Sequence, residues 1–467
     1  MSESGDRMLG GDPRRTLLAF CLPIFAGNML QQLYSMVDSV VVGNFVSSAA
    51  LAAVGNAFPV TYMVICVSFG LSNGASILIG QYTGSGRARD LRALIRTSVV
   101  YSGLVAVVLA AVCLAASRPI VGLLDTPPEA FGDSLLYIRV YFFGLVFTFC
   151  FNMISAVFRA LGDSRTPLLF LAVSSLLNIA LDLYFVLGLH LAVFGVALAT
   201  VIAQGAAFAL QLLLLRRRMA SLPQGEPAPS RRLLDADALR QLTGLALPTT
   251  AQELLISLNI FVTQRFVNHF GADVMAAFTV VGKIGDLGMM PMISMGIALT
   301  VFSAQNVGAG RTDRAAAGFR AGLRFNLIVA ALLAAVSLLF GRPLMELFLG
   351  ANGSAATYAA GRVCLLFTIG NFFAMAFAFA SEGLIKGAGD VQIYFYIAVC
   401  AAAMKIVFAL LLMEPMGSTG VWLAILLSWS SEAVLGFARY LSGRWKNKAL
   451  RFGGDGDVSP APAEKQN

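Results

Sequence analysis

Charge is what this chain has least of. Asp, Glu, Lys and Arg make up 12% of its 467 residues, about half the ~25% usual in soluble domains. Hydrophobic residues make up 58%, and mean hydropathy is +0.78. Too little polar surface remains to cover a water-soluble globule, so the chain is expected in a lipid bilayer. Histidine is nearly absent: the two present, His190 and His269, form no His-Glu-x-x-His pattern, which argues against a membrane metalloprotease. A phosphate-cradling Gly-x-x-x-x-Gly-Lys loop is also missing, so ATP is not expected to drive the protein directly. The six cysteines, at 21, 66, 113, 150, 364 and 400, all fall in apolar runs without paired or metal-type spacing. They read as small packing residues rather than bridges or ligands. The alternating strands of a membrane β-barrel are lacking. The polar start, Met1 to Arg15, holds no short apolar core with a cleavage site, so no cleaved signal is expected.

What is present is a series of apolar runs, each long enough to cross a bilayer as a helix of about 20 residues. They fall at roughly 16–43, 51–80, 92–116, 133–158, 166–188 and 191–215, and again at 240–266, 275–303, 317–340, 359–383, 391–413 and 419–440. The expected fold is all-α, with twelve transmembrane helices. Lys and Arg stay on the cytoplasmic side of such proteins. Placing both termini in the cytoplasm puts most of the 33 basic residues there, in clusters such as Arg87–Arg96, Arg216–Arg240 and Arg311–Arg324. The net charge of +8 is then a topology signal and gives no reason to expect nucleic acid.

The runs repeat because the chain is duplicated. Pro23 returns as Pro248; Gln81, Gly84, Gly86 and Arg87 return as Gln305, Gly308, Gly310 and Arg311; Gly162-Asp163 returns as Gly389-Asp390. Each repeat holds six spans and so starts and ends on the same side. The halves are therefore parallel, related by a pseudo-two-fold axis along the membrane normal, with a cleft between them. The expected units are an amino-terminal lobe over 1–215, a cytoplasmic linker over 216–238, a carboxyl-terminal lobe over 239–445 and a disordered tail over 446–467. Leu222–Ser230 is a Pro-rich stretch, and Leu233–Gln241 reads as a short surface helix capped by Asp235 or Asp237. Pro23 and Pro248 each kink or bend a first span.

Ionisable residues inside spans cost at least about 2.5–3.5 kcal/mol at mid-membrane and need a reason. Asp38 lies late in the first span. Asn178 and Asp182, spaced i, i+4, share one face of the fifth, with Asp182 roughly 24 Å from its start. Thr200 sits near mid-depth in the sixth; by itself it is better explained by local satisfaction. Two carboxylates, an amide and a hydroxyl are hard oxygen ligands, suited to Na+ or to a proton shared between the carboxylates. The second half is not a chemical copy, for Lys405 stands opposite Asn178, Ala409 opposite Asp182 and Thr263 opposite Asp38. Lys405 reads as a fixed charge or counter-ion. Glu253, Lys283, Asp286 and Glu432 are further buried-charge candidates, with Lys283 and Asp286 spaced to pair, while Glu382 reads as facing water at a helix end. Met289, Met290, Met292 and Met295 fit packing better than an adaptable pocket.

The run Pro23…Gln31…Asp38…Gly43, the Leu51-Ala-Ala-Val-Gly55 stretch, Gln81-Tyr-Thr-Gly-Ser-Gly86 with its copy at Gln305–Gly310, Arg159-Ala-Leu-Gly-Asp163 and the Asn178/Asp182 pair together resemble the multidrug and toxic compound extrusion (MATE) family. The resemblance spans about residues 8–445. It implies two six-helix bundles around a central cavity. It also implies an antiporter of the bacterial cytoplasmic (inner) membrane that exports amphipathic, often cationic compounds against Na+ or H+, with no cofactor beyond that ion. The family's amino-lobe cation site would match Asp38, Asn178, Asp182 and Thr200. One branch carries an acid eight residues after the seventh-span proline; here that position is Ile256, with Glu253 a turn earlier. Small organic molecules and bilayer lipid are the expected partners of a monomer. The alternative is a lipid-linked oligosaccharide flippase of the same superfamily, which would be expected to line its cavity with arginines; only Arg139 and Arg362 lie near apolar segments, both at outer helix starts.

Overall fold

The computed structural model describes residues 8–46, 48–124, 126–220, 233–350 and 353–448. Leu222–Ser230 and the tail beyond Arg451 lie outside the described residues. The amino-terminal half comprises α1 (Pro13–Phe45), α2 (Ser48–Gly84), α3 (Ala88–Ala115), a short α4 (Ser117–Leu123), α5 (Pro128–Phe143), α6 (Leu145–Ala160), α7 (Arg165–Leu183) and α8 (Ala192–Ala220). The second comprises α9 (Ala236–Asn268), α10 (Ala272–Gly308), α11 (Thr312–Leu349), α12 (Ala355–Gly387), α13 (Val391–Met416) and α14 (Ser418–Leu441). Eleven of these are long and apolar enough to cross a membrane, and α5 with α6 makes a twelfth span bent by 48°. The protein is an all-α membrane protein of twelve spans in two parallel six-span repeats.

Two expectations need correction. The fourth run, 133–158, is not one helix. It breaks at Gly144, where a Cβ would meet the Val201 side chain of α8, so the missing side chain lets α8 press into the bend. Leu233–Gln241 is not a separate surface helix either. Asp235 caps α9, accepting a hydrogen bond from the Ala238 amide at 2.9 Å, and the helix runs unbroken through Pro248 to Asn268. The six cysteines are free thiols; five are buried and Cys400 is exposed.

The duplicated motifs have one structural purpose each. Gly162 and Gly389 both sit at φ +87°, a conformation that costs glycine nothing and other residues a great deal. The turn they make presents the following aspartate to the end of the sixth span of its own lobe. Asp163 meets Arg218 at 2.8 Å, and Asp390 meets Arg439 at 2.6 Å. Asp163 also caps α7, accepting from the amides of Arg165 and Thr166 at 3.1 and 3.0 Å. Asp390 is the more buried, at 3% exposure. Stranding one buried partner of such a pair costs about 3–5 kcal/mol. Asp390→Ala should therefore lower the unfolding midpoint in detergent by several degrees, and by more than Asp163→Ala does.

The lobes join near the face that carries the first and last described residues. There Gln81 donates to the Gly387 carbonyl at 3.0 Å, and its repeat Gln305 donates to the Ala160 carbonyl at 2.7 Å. Each glutamine thus ties one lobe to the end of the other lobe's fourth span. A Cβ at Gly84 would overlap the Gln305 carbonyl, and one at Gly308 would overlap the Gln81 carbonyl. Farther in, Gly70 and Gly74 of α2 lie against Thr250 and Ala246 of α9, a small-residue crossing of the kind that lets membrane helices approach closely. Thr249 donates across it to the Gly70 carbonyl at 2.7 Å. Asn28 of α1 reaches Ser294 of α10 at 3.0 Å. Toward the opposite face, Gln31, Leu33 and Met36 of α1, Phe58 of α2, and Ile256 and Ile260 of α9 are exposed. The hydrogen bonds that fasten the lobes to each other gather toward the terminal face.

Candidate functional site

In the amino-terminal lobe, α1, α7 and α8 bring Asp38, Asn178, Asp182 and Thr200 together. The i, i+4 spacing on α7 points Asn178 and Asp182 to one side, and both are buried, at 2% and 1% exposure. Asn178 is the hub. With its amide oriented by the surrounding network, the nitrogen donates to Asp182 Oδ2 at 3.0 Å and to Asp38 Oδ1 at 3.1 Å. Its oxygen accepts from Thr200 Oγ1 at 3.2 Å and from the Thr200 amide at 3.1 Å. The Asp38 carboxyl also lies within hydrogen-bond reach of Asp182 and of Tyr34. Just past Asp182 the helix widens into a π turn over Tyr184–Gly188, closed by the Leu189 amide on the Tyr184 carbonyl at 3.1 Å. A cavity of about 70 Å³ adjoins the cluster, touching Gln31, Tyr34, Asn152 and Thr200.

No Lys or Arg forms an ion pair with either aspartate among the described residues. Among the described residues no donor reaches Asp182 Oδ1, which is buried. Two adjacent carboxylates in a dry place, with one oxygen orphaned, are badly compensated unless a cation or a proton joins them. The donor set is all oxygen and suits a hard monovalent ion. Tyr34 is a member of the cluster that sequence reasoning misses; its i, i+4 spacing to Asp38 is the available signal.

The carboxyl-terminal candidates lie elsewhere. Glu253 of α9 accepts from Asn73 of α2 at 3.0 Å and so bridges the lobes. Glu382, expected to face water, is instead held by Lys386 at 2.6 Å and by Gln252 at 3.2 Å. Glu432 accepts from the Tyr394 hydroxyl at 2.8 Å, and half-buried Lys405 has Glu432 as its electrostatic neighbour. Lys283 and Asp286 make no ion pair with each other among the described residues, although their spacing suits one. Asp286 turns instead toward a cavity walled by aromatic side chains.

The chain is similar to known proteins in sequence and in fold. The MatE family pattern matches residues 23–184 and again 248–411, one copy per lobe. The chain is 29% identical over 443 residues to the probable multidrug resistance protein YoeA of Bacillus subtilis, covering 93% of this chain and 95% of that one. It is 25% identical over 344 residues to a protein of Shewanella oneidensis named FAD transporter, covering 72% and 74%. Its fold superposes on a MOP superfamily transporter from Pyrococcus furiosus with a TM-score of 0.86 at 21% identity, covering 96% and 99%. With the pattern present twice, in register with the duplicated spans and over well more than half the chain, this protein belongs to the MatE family of membrane transporters.

Proposed function

We propose that the protein is a secondary antiporter that exports amphipathic organic cations from the cytoplasm while Na+ or H+ enters. The observation that carries the reading is the pair of carboxylates joined through Asn178 without a basic partner among the described residues. The multidrug resistance relatives support the cargo class. Basic residues favour a cytoplasmic terminal face, so the Gln81 and Gln305 ties would close the inner side and the cleft would open outward. In that state the Asp38–Asp182 pair takes up the incoming ion from the external side. Ion capture removes the negative charge that favours a cationic cargo, and the cargo leaves. Return to the inward-open state requires the Gln81 and Gln305 ties to break, and it reloads cargo from the cytoplasm. Antiport follows because ion and cargo favour different states or compete for one charge.

The test is transport in proteoliposomes with Na+ and pH gradients imposed separately. One of the two gradients, and not both equally, is expected to drive ethidium movement. Equal transport with neither gradient would remove the antiport reading and leave a passive carrier.

A further inference from the structure

The second lobe contains a cavity of about 140 Å³ between α10, α12 and α14, separate from the Asp38 site. Its wall is aromatic. Phe278 and Trp422 stack with ring centroids 5.3 Å apart and planes 11° apart, and Phe367, Phe372 and Trp429 line the rest. Trp429 is held from behind by Phe379, at 5.8 Å between centroids.

Asp286 supplies charge at the same wall. It lies fourteen residues into α10, roughly 21 Å along the helix, and it is exposed. A carboxylate at that depth is expensive against lipid. Tyr62 of α2, in the other lobe, lies within electrostatic reach of both Asp286 and Glu253, which places the mouth of the cavity on the cleft.

The repeat sharpens the point. Trp429 and Met375 occupy the positions of Gln204 and Thr148 in the first lobe, in register with Gly162-Asp163 and Gly389-Asp390 and with the matched hydrogen bonds of Ser102 to the Phe149 carbonyl and Asn326 to the Ala376 carbonyl. There the two polar side chains hydrogen-bond to each other beside the small polar cavity that adjoins Asn178 and Thr200. One ancestral cavity is polar in the first lobe and aromatic with an acid at its edge in the second.

We infer that this aromatic cavity is a binding subsite for an organic ammonium ion, either a small quaternary ammonium or the cationic head and one ring of a larger cargo. Aromatic faces attract alkylammonium groups through their quadrupoles, and a cavity of ~150 Å³ is the size that admits one benzene. The assignment rests on the export reading only for its cargo class, because binding can be measured without transport.

The experiment uses the full chain in detergent and benzyltrimethylammonium as probe, read by tryptophan emission. Two of the three tryptophans, Trp422 and Trp429, line the cavity. Saturable quenching is expected. Asp286→Asn should raise the half-saturation concentration by about tenfold, and Asp313→Asn, at an exposed carboxylate of the terminal face, should leave it unchanged. Gly282 lines the cavity with open space around it, so Gly282→Leu should fill the space and abolish quenching with no change in charge. If Asp286→Asn does not fold, Asp286→Glu with Gly282→Leu decides. Non-saturable quenching, or quenching unaltered in Gly282→Leu, overturns the subsite. So does wild-type affinity in Asp286→Asn. Saturable, Asp286-dependent binding in a protein that shows no ion coupling would sink the antiport reading and leave the subsite standing.

Discussion

Asp38→Asn is expected to leave the protein folded in the membrane and to abolish ion-gradient-driven efflux. Asparagine keeps the size of aspartate and can still bond to Tyr34 and Asn178. What it removes is one of the two negative charges that an ion or proton would join. Allosteric coupling between two ligands is typically a factor of about 5–150. Removing it should reduce gradient-driven accumulation by at least the lower bound while downhill movement of ethidium persists. Asp182→Asn should do the same, since the two carboxyls act as one site. Thr200→Ala removes a bond to the hub amide and no charge, so its loss should be smaller. Gradient-driven transport retained at the wild-type rate in Asp38→Asn would remove this site from the mechanism.

A valine at Gly84 should have the second large effect. Its Cβ would occupy the space of the Gln305 carbonyl, and a backbone atom cannot swing aside as a side-chain tip can. The two lobes would be held apart at the terminal face. Overpacking typically costs about 1–3 kcal/mol, and every 1.4 kcal/mol moves a two-state population about tenfold. The closed terminal face should become the minor state and transport should stop. Gly308→Val, the repeat of the same contact, should act alike. Spin labels at Arg87 and Arg311, both exposed beside these glycines, would report the change as a longer inter-label distance than in the parent protein. An unchanged distance together with unchanged transport would show that this crossing is not a gate.

Much of this is legible in the sequence because duplication writes each essential contact twice. Gln81 and Gln305, Gly84 and Gly308, and Gly162-Asp163 and Gly389-Asp390 stand out by their common offset along the chain, and each pair is one contact made in two places. The Asn178/Asp182 face follows from helical spacing alone. What spacing does not show is contact between spans. The break at Gly144 depends on Val201, which is 57 residues away in the chain. The partners of Glu382 come from α9 and from its own helix. Lys283 and Asp286 are spaced to pair, yet Asp286 faces the aromatic cavity, and its wall is drawn from three helices that no local pattern joins. Tyr34 carries a readable i, i+4 signal, but a tyrosine near a helix middle is common enough to be passed over.

The most direct test of the central claim runs the exchange backward. Proteoliposomes with no ion gradient are given a steep ethidium gradient, and ion movement is followed with a pH-sensitive lumenal dye and with radioactive Na+. The account predicts that the moving cation drives a counter-flow of one of these ions, and that Asp38→Asn abolishes this counter-flow. Ethidium movement without any ion counter-flow in the parent protein, or an equal counter-flow in Asp38→Asn, would contradict it.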